Sequence, residues 1–486
     1  MKSNLIIIMA DQLRFDVFNR GYTPNIDALM NESVRFSSAY CASPLCVPSR
    51  GAFFTGLCPS SNGSLINPWE KRDAKYGDVK SDIENLYSLM EKEWYSIHSG
   101  KQHLFTEGGK LEDRDNLTHW ASTEKSYKQM LKDNNVRQPG VLPRFKTYVP
   151  EMVDGKVTKV AKYSNAETGL YPFDSKYFFD IYFTDEGIKA LKQRDKSKPL
   201  FYSAMYLAPH PPLEIPEPWF SLVKKDDVFL PENVGKYYPH QSPLQMYNLT
   251  GIVGARYSEE EWREAWRVYL GQVALFDECV GRLINELKTE GIYDNSMIIF
   301  TTDHGEMLGS HRLFQKMCMY EESSHVPLTI KFPNGEYARD INTHVSHIDV
   351  MPTIMEFLNI ESKNDFEGVS LLSLITNGDK KGLNRDIFIQ YDGNGARSNF
   401  QRCVIRNNYK LILDIFKDEM FVELYDLEKD RVESNNLAFY EEYDEVIINM
   451  YASLLKHMKD TSDLITLPEL DLVSFRNAYS DIPVRQ

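Results

Sequence analysis

Three runs of apolar residues along the chain each end in polar side chains. Near-continuous apolar runs of this length are typical of strands that helices cover on both faces, as in a parallel α/β sheet. The runs, with the polar residues that follow them, are 5–9 with Asp11 and Gln12, 200–206 with His210, and 297–302 with Asp303 and His304. Because ligands of such sheets bind at the carboxyl ends of the strands, we expect these polar side chains to lie close together.

A different spacing predicts the longest helix, over residues 258–289. Ser258 and Glu261 form a capping-box pattern at its start. Its apolar positions recur every three or four residues, which places them on one face that we interpret as core: Trp262, Trp266, Tyr269, Val273, Phe276, Val280, Leu283 and Leu287. A shorter helix is predicted to begin at Pro24, with Thr23 as its cap.

Beyond about residue 375 the pattern changes. Residues 377–382 are polar and rich in glycine, and short strand-like runs and an amphipathic stretch at 441–459 follow. We therefore predict an α/β fold with a large mixed, mostly parallel sheet sandwiched by helices, in a catalytic domain over 1–375. A smaller C-terminal domain over 376–486 is predicted to hold an antiparallel sheet and a helix.

Length and charge narrow the class of protein. A chain of 486 residues with 42% hydrophobic residues can form two globular domains, one of them large. The formal net charge of −15 argues against nucleic acid or an anionic membrane surface as the main partner. An anionic substrate would therefore need a local cationic pocket, and no oligomeric state is predicted.

The cysteines and the N-terminal segment bear on the compartment. Six scattered cysteines do not fit a disulfide scaffold, and no zinc-type spacing is present. The apolar run at 4–10 is too short for a signal peptide and lacks a small-residue cleavage site after it, and no stretch approaches the length of a membrane span. We expect a cytoplasmic protein without a membrane partner.

The candidate chemistry centres on Cys46, two residues before Pro48. Proline is tolerated in the first turn of a helix, so the cysteine sits where a helix can begin. The free N–H groups and positive dipole end of such a helix favour a bound anion, and Arg50 would add a fixed cation one turn later. A lone cysteine before a proline is more often a buried residue at a helix start, and further motifs decide between the two interpretations.

The run Cys46–Gly56 reads C-x-P-S-R-x-x-x-x-T-G and resembles the activation motif of the type I sulfatases, which belong to the alkaline phosphatase superfamily. In that family a formylglycine-generating, or sulfatase-maturing, enzyme oxidises the cysteine to formylglycine, whose hydrate is the nucleophile. Other motifs follow in the family's order: 22–27, 35–40, 100–104, 303–309, Lys316, 346–353, 423–427 and 436–437. The resemblance implies an alkaline phosphatase-like fold and hydrolysis of a sulfate ester.

The resemblance also implies a divalent metal held by Asp11, Gln12, Cys46, Asp303 and His304. Carboxylates with an amide and an imidazole suit a hard ion, so Ca²⁺ is expected, with Mg²⁺ or Mn²⁺ as alternatives. Many family members carry a second aspartate where this chain has Gln12, and this difference is closer to the phosphonate and choline-sulfate branch of the superfamily. An aspartate at a strand end can instead be a helix cap, which is the alternative for either acid alone.

The same resemblance assigns sulfate binding and proton transfer to Lys101, His103, His210 and Lys316, beside a catalytic Arg50. Lysines and the metal would draw charge from the sulfate oxygens. His210, helped by Lys316, would protonate the leaving alcohol, and His103 would accept the proton whose loss lets the enzyme release sulfate. Histidine suits both roles because its pKa lies near neutral pH.

Five other residues near these motifs carry weaker predictions. Glu306 and His311 are placed near the same sheet edge, where contact with substrate and a structural role are equally open. His325, His344 and His347 are interpreted as structural.

Two other functions remain open at this point. A phosphonate monoester or phosphodiester hydrolase would use the same site, and a non-catalytic anion-binding protein would keep Cys46 unmodified. A small sulfated carbohydrate is the first expectation for the substrate, with choline sulfate and aryl sulfates as alternatives. Segments 60–95, 105–175 and 212–257 match no family motif and are expected to form the wall that selects the substrate.

Overall fold

The computed structural model describes residues 2–153, 156–417 and 419–480. Its α-helices are α1 (Pro24–Asn31), α2 (Cys46–Thr55), α3 (Pro59–Asn62), α4 (Leu86–Met90), α5 (Glu124–Asp133), α6 (Phe179–Gln193), α7 (Trp219–Leu222), α8 (Leu249–Gly254), α9 (Glu259–Thr289), α10 (Glu321–Ser324), α11 (Val350–Leu358), α12 (Leu372–Asn377), α13 (Asp444–Asp460) and α14 (Leu472–Tyr479). Its strands are β1 (Asn4–Asp11), β2 (Val34–Phe36), β3 (Ala39–Tyr40), β4 (Tyr95–Gly100), β5 (Phe105–Thr106), β6 (Gly109–Lys110), β7 (His119–Thr123), β8 (Lys146–Val153), β9 (Lys156–Ser164), β10 (Thr168–Leu170), β11 (Leu200–Pro209), β12 (Leu213–Ile215), β13 (Ser296–Thr302), β14 (Leu328–Lys331), β15 (Arg339–Ile341), β16 (Val345–Ser346), β17 (Ile387–Tyr391), β18 (Phe400–Arg406), β19 (Tyr409–Phe416) and β20 (Glu419–Asp426).

The large sheet has the strand order β15-β2-β14-β13-β1-β11-β4-β7. The three predicted apolar strands are its neighbouring strands β13, β1 and β11, and they run parallel to one another. Only β14 runs antiparallel to its neighbours within this sheet. Alternate residues of β1 enter two different cores, Ile6 and Ile8 on the side of α9 and Leu5 and Ile7 on the side of α2. The predicted fold class, a mostly parallel sheet between helical layers, is confirmed.

Helix α9 confirms the longest helical prediction. Ser258 and Glu261 form the capping box, with the Glu261 carboxylate accepting the Ser258 N–H at 2.8 Å. The eight predicted apolar positions are all buried. This face packs against α1, α6 and β11 and covers one side of the central strands.

The prediction that the Thr23 side chain caps α1 is wrong. Thr23 occupies the cap position, but its hydroxyl donates to the Asp27 carboxylate at 3.0 Å and makes no capping bond. The free N–H groups of Asn25 and Ile26 donate instead to the carboxylate of Asp277, on α9, at 3.2 and 2.8 Å. A carboxylate on the neighbouring helix also interacts favourably with the positive end of α1, which a hydroxyl cannot match.

The C-terminal part forms the predicted antiparallel sheet, in the order β17-β18-β19-β20. Helix α13 packs against β18 and β19 in a separate apolar cluster. Helix α12 runs across position 375, so the domain boundary proposed there stays a prediction. Among the residues that the structure describes, no helix combines the length and apolarity needed to cross a membrane.

A buried carboxylate lies where this sheet meets the rest of the molecule. Asp414, on β19, accepts hydrogen bonds from the Ser242 hydroxyl at 2.7 Å and the Gln245 amide at 2.8 Å. Burial raises the pKa of Asp414 to about 7, against the effect of the hydrogen bond from Ser242. The folded protein therefore keeps a proton on Asp414 at pH values where the unfolded chain has lost it.

Asp414→Asn should weaken the pH dependence of stability. In the wild type the free energy of unfolding should fall as pH rises from about 4 to about 7, by up to about 4 kcal/mol from this one group. The amide does not titrate, so urea midpoints at pH 5 and pH 7.5 should differ less in the variant. Asp340→Asn, on an exposed ion pair with Arg35, should keep the wild-type difference. Equal slopes for Asp414→Asn and wild type would contradict the assignment.

Candidate active site

The carboxyl ends of the central strands bring the predicted metal ligands together. Asp11 ends β1, and Asp303 and His304 follow β13. One ligand atom from each of these three residues and from Cys46 lies within 4.8 Å of the others, and all four residues are buried. The sequence separation of nearly 300 positions is closed because β1 and β13 are adjacent parallel strands.

Cys46 begins α2, as its spacing to Pro48 predicted. Its side chain is 3% exposed, and its Sγ lies 3.2 Å from His304 Nε2 and 3.9 Å from Lys101 Nζ. Burial raises the pKa of the Cys46 thiol, as does Asp11. Lys101, Lys316 and His304 together outweigh both effects and leave this pKa well below its ordinary value. The position therefore favours negative charge.

Arg50 bridges the two acids of the site. It is fully buried, and it donates from Nε to Asp303 at 3.0 Å and from Nη2 to Asp11 at 3.2 Å. Its Nη1 donates to the carbonyl of Lys101 at 3.0 Å. The predicted cation is thus in place one turn after Cys46, but its N–H groups hold carboxylates and a carbonyl. This geometry makes Arg50 an organiser of the site.

The donor set fits a hard divalent ion. Asp11 Oδ1 is buried and has no hydrogen-bond partner among the described residues. His304 donates from Nδ1 to the carbonyl of Gly305 at 3.0 Å, which leaves its Nε2 lone pair facing Cys46. Burial raises the pKa of Asp303, and the charge of Asp11 adds to this effect. A cation between the two carboxylates would favour the ionised form of both.

Gln12 differs from the other predicted ligands because both ends of its side-chain amide are hydrogen-bonded to neighbouring side chains. Its amide oxygen accepts a hydrogen bond from Lys316 Nζ at 2.6 Å, and its amide nitrogen donates to the Glu306 carboxylate. Glu306 also accepts the N–H groups of Leu308 and Gln315. Glu306 therefore orients Gln12, and these contacts favour a structural role for Glu306 over direct contact with substrate.

Lys101, His210 and Lys316 line the cationic side of the site. Lys101 forms an ion pair with Asp11. Lys316 Nζ lies 2.9 Å from His210 Nε2, and His210 donates from Nδ1 to the carbonyl of Pro211 at 2.5 Å. Burial lowers the pKa of His210 to about 3, helped by the charge of Lys316. The Nε2 lone pair of a neutral His210 thus accepts a hydrogen bond from Lys316.

His103 lies at the rim of the site, held by a residue that the sequence did not single out. Its Nε2 is 3.1 Å from Glu124 Oε2, at the start of α5. Burial raises the pKa of Glu124, but His103 and Lys101 more than reverse this effect, so the carboxyl group stays ionised. Glutamate is common at the start of a helix because it interacts favourably with the helix dipole. The presence of Glu124 there therefore did not indicate a contact with His103.

A second residue missed by the sequence analysis is Asn67. Its side-chain oxygen accepts the N–H of Val47 at 3.2 Å, in the first turn of α2, and its amide donates to Asn394 at 3.0 Å. It therefore connects the Cys46 helix to a loop of the C-terminal part. A single asparagine in a segment without periodicity is typical of turns, and gives no sign of this contact.

The histidines predicted to be structural contact neighbouring protein groups, and of the three only His347 is fully buried. His347 contacts Thr301 Oγ1 at 3.1 Å, His325 stacks on Phe15, and His344 contacts the carbonyl of Asn407 at 2.7 Å. His311, which was left open, stacks on Tyr320 with ring centroids 4.1 Å apart, and its Nδ1 lies 3.2 Å from Gln241 Oε1. The structure gives His311 packing contacts and no contact with Cys46.

Comparisons with known proteins show the family of this chain. The family profile described as Sulfatase matches residues 3–360, and that described as N-sulphoglucosamine sulphohydrolase, C-terminal, matches residues 309–460. The chain therefore belongs to the sulfatase family of the alkaline phosphatase superfamily, whose members hydrolyse sulfate esters, and it is a sulfuric ester hydrolase.

Individual relatives cover nearly the whole chain. An arylsulfatase of Clostridium perfringens is 27% identical over 480 residues, covering 94% of this chain and 95% of the relative. An N-acetylglucosamine-6-O-sulfatase of Bacteroides thetaiotaomicron is 24% identical over 509 residues, covering 91% and 84%. A crystal structure of a phosphonate monoester hydrolase of Agrobacterium radiobacter superposes with a TM-score of 0.77 at 21% identity, covering 95% and 96%. The last likeness is one of fold.

Proposed function

We propose that this enzyme removes sulfate from small sulfated carbohydrates, using formylglycine made from Cys46 and a bound divalent metal, preferably Ca²⁺. The observation that carries the proposal is the meeting of Cys46 with two buried acids and His304 within 4.8 Å, at the start of a helix. Lys101 and Lys316 stand beside this group and lower the pKa of Cys46. A cationic pocket in a chain of net charge −15 has the local charge that an anionic ester requires.

Asp11, Asp303 and His304 would hold the metal, with the position of Cys46 facing it and Gln12 completing the set. Two carboxylates and an amide oxygen favour Ca²⁺ or Mg²⁺ over softer ions. When bound, the metal would draw charge from the sulfate oxygens, and formylglycine would supply a hydrated aldehyde as nucleophile where the Cys46 Sγ now lies. Arg50 keeps both acids in place through its two ion pairs.

The chain's own residues then bind the sulfate and move a proton. Lys101 Nζ, 3.9 Å from the Cys46 Sγ, is placed to bind one sulfate oxygen. Lys316 Nζ donates to His210 Nε2 across 2.9 Å, and this pair is placed so that Lys316 can pass a proton to the ester oxygen as the alcohol leaves. His103, whose Nε2 is held by Glu124, keeps its Nδ1 for a proton transfer at the rim.

A carbohydrate substrate is supported by the named relatives. One acts on N-acetylglucosamine 6-sulfate by its name, and a family profile of an N-sulphoglucosamine sulphohydrolase matches the C-terminal part.

A maturing enzyme that oxidises Cys46 is a further implied partner, and we propose a cytoplasmic location. All six cysteines are buried and unpaired, which is compatible with a reducing compartment.

Three measurements test this proposal. Peptide mass spectrometry of the protein from its native host should show residue 46 as formylglycine, and an unmodified cysteine throughout would support the anion-binding alternative. A panel of sulfated monosaccharides should release sulfate, measured by ion chromatography. Aryl phosphonate ester should be cleaved more slowly than the matching aryl sulfate, and the opposite order would favour the phosphonate hydrolase.

Asp303→Asn should lose activity mainly through loss of metal. An amide binds a hard divalent ion less well than a carboxylate, so metal content measured by mass spectrometry should fall, and excess Ca²⁺ or Mg²⁺ should restore part of the activity. Asp340→Asn, the exposed control, should retain both metal and activity. EDTA treatment of the wild type that left metal content and activity unchanged would contradict the metal assignment.

A further inference from the structure

One tryptophan near the active site is unusually exposed. The side chain of Trp69 is 51% exposed, whereas Trp94, Trp219, Trp262 and Trp266 are at most 7% exposed. Leaving so large an apolar surface in water forgoes the stabilisation that burial would give. Trp69 differs from the other exposed aromatic residues by its contact with His103, which makes it available to a ligand of the site.

Trp69 lies next to the residues that surround Cys46. It follows Asn67, whose side chain accepts the N–H of Val47 in the first turn of α2. Its ring centroid is 5.7 Å from that of His103, with the two rings at 65°, and 6.0 Å from that of Phe105. His103 in turn follows Lys101 by two residues, and Lys101 contacts the Cys46 thiol.

The residues beside Trp69 are held by contacts with two other parts of the chain, although half of the Trp69 side chain is exposed. The Asn67 amide is bonded to Asn394 at 3.0 Å, and the neighbouring Glu70 forms an ion pair with Lys159 on β9. A Cβ added at Gly395 would lie 3.7 Å from the Trp69 Cβ, so the loop that holds Gly395 passes beside this residue. The exposed ring is therefore a positioned surface, braced by the C-terminal loop and the β8–β9 hairpin.

A second side chain, that of Glu124, also contacts His103. The Glu124 side chain is 33% exposed, and its Oε2 is 3.1 Å from His103 Nε2. It stays ionised, because His103 and Lys101 outweigh the effect of burial on its pKa. An ionised carboxylate offers two acceptor oxygens, which can take the hydroxyl protons of a polyhydroxylated ligand.

We propose that Trp69 and Glu124 form the subsite for the sugar ring of the sulfated substrate. The indole stacks against the apolar C–H face of a pyranose, and the free carboxylate oxygen accepts a ring hydroxyl. A ring held this way reaches the sulfate pocket past His103. This inference rests on the proposed function and names the part of the substrate that the chain recognises beyond the sulfate group.

Kinetics on two substrates test the stacking surface. Trp69→Ala should lower kcat/KM on N-acetylglucosamine 6-sulfate by about 10- to 100-fold, the size expected for losing one well-covered aromatic contact. Ethyl sulfate has no ring, so its hydrolysis should change by no more than about twofold. Trp69→Phe should lose less than Trp69→Ala. Phe229→Ala, at an 82% exposed aromatic in a groove with Asp16 and Tyr22, should change neither rate.

Binding without turnover separates this inference from the proposed function. In a Cys46→Ala background, calorimetry with N-acetylglucosamine 6-sulfate and with inorganic sulfate should show that Trp69→Ala weakens the first ligand by about tenfold or more and leaves the second unchanged. Glu124→Gln should weaken the first ligand distinctly more than the second. Equal effects on both ligands, or none, would overturn the subsite. Failure of the wild type to release sulfate from any ester would overturn the proposed function, and the binding result would still decide the subsite.

Discussion

Cys46→Ala should abolish sulfate ester hydrolysis and leave the fold intact. The substitution removes the one side chain that can become the nucleophile, and loss of a catalytic nucleophile typically lowers kcat by about 10⁴-fold or more. The side chain is buried at the first position of α2, so exchange for alanine removes one sulfur atom from a helix that alanine favours. Sulfate release and the circular dichroism melting curve should be measured on the same preparation.

Cys41→Ala is the matched control for this prediction. Cys41 is equally buried, lies five positions earlier, and has a pKa raised by burial and then by the charge of Asp303. Its replacement should cost some stability and keep turnover near the wild-type value. Wild-type-like turnover by purified Cys46→Ala, or an equal loss in Cys41→Ala, would remove Cys46 from the nucleophile role.

The central strands and the ends they present could be predicted from the sequence. Continuous apolar runs mark strands covered on both faces, and polar residues directly after them must lie at one sheet edge when the strands are parallel. Asp11, Asp303 and His304 could be placed on this argument alone. The family motifs added Cys46 and Lys316 to the predicted site. Cys46 lies on a helix and Lys316 on a loop, and hydrophobic periodicity does not identify either residue as functional.

The contacts that orient these residues could not be predicted. Glu306 holds the amide of Gln12, Glu124 holds His103, and Asp277 replaces Thr23 as the partner of the α1 N-terminus. Each of these pairs joins residues at least 21 positions apart. Hydrogen-bond partners across such separations depend on side-chain directions that composition and spacing do not encode. The sequence therefore predicts which residues lie close together more readily than which hydrogen bonds they form.

The structure also changes how the proton donor is understood. His210 donates from Nδ1 to the carbonyl of Pro211, and its Nε2 faces Lys316 at 2.9 Å. The pKa of His210, lowered to about 3 mainly by burial, leaves its imidazole neutral near neutral pH, with its one proton on Nδ1 and donated to the Pro211 carbonyl. We propose that the proton passed to the leaving alcohol comes from Lys316, whose Nζ donates to His210 Nε2. In this arrangement the imidazole positions Lys316 Nζ, and removing the imidazole would remove that support from the donor.

The His210→Ala variant should therefore lose more activity on substrates with poor leaving groups than on substrates with good ones. The oxygen of a departing sugar alcohol carries substantial charge, whereas nitrophenolate needs little protonation. The expected loss is about 10²- to 10⁴-fold on a sugar sulfate and distinctly less on nitrophenyl sulfate. A series of aryl sulfates should show rates that fall more steeply with leaving-group pKa in the variant than in the wild type.

His240→Ala supplies the control for this series, because His240 stacks on Phe439 with ring centroids 3.9 Å apart and has no part in the proposed site. Its rates should follow the wild-type dependence on leaving-group pKa. His103→Ala should lower kcat by a factor that does not depend on the leaving-group pKa. The reason is that His103 is hydrogen-bonded to Glu124 at the rim of the site and not to Lys316. A constant loss for His210→Ala across all aryl sulfates would show that its imidazole binds or orients the ester. The proton would then have to pass from Lys316 Nζ alone, and Lys316→Met would become the variant with the steeper dependence.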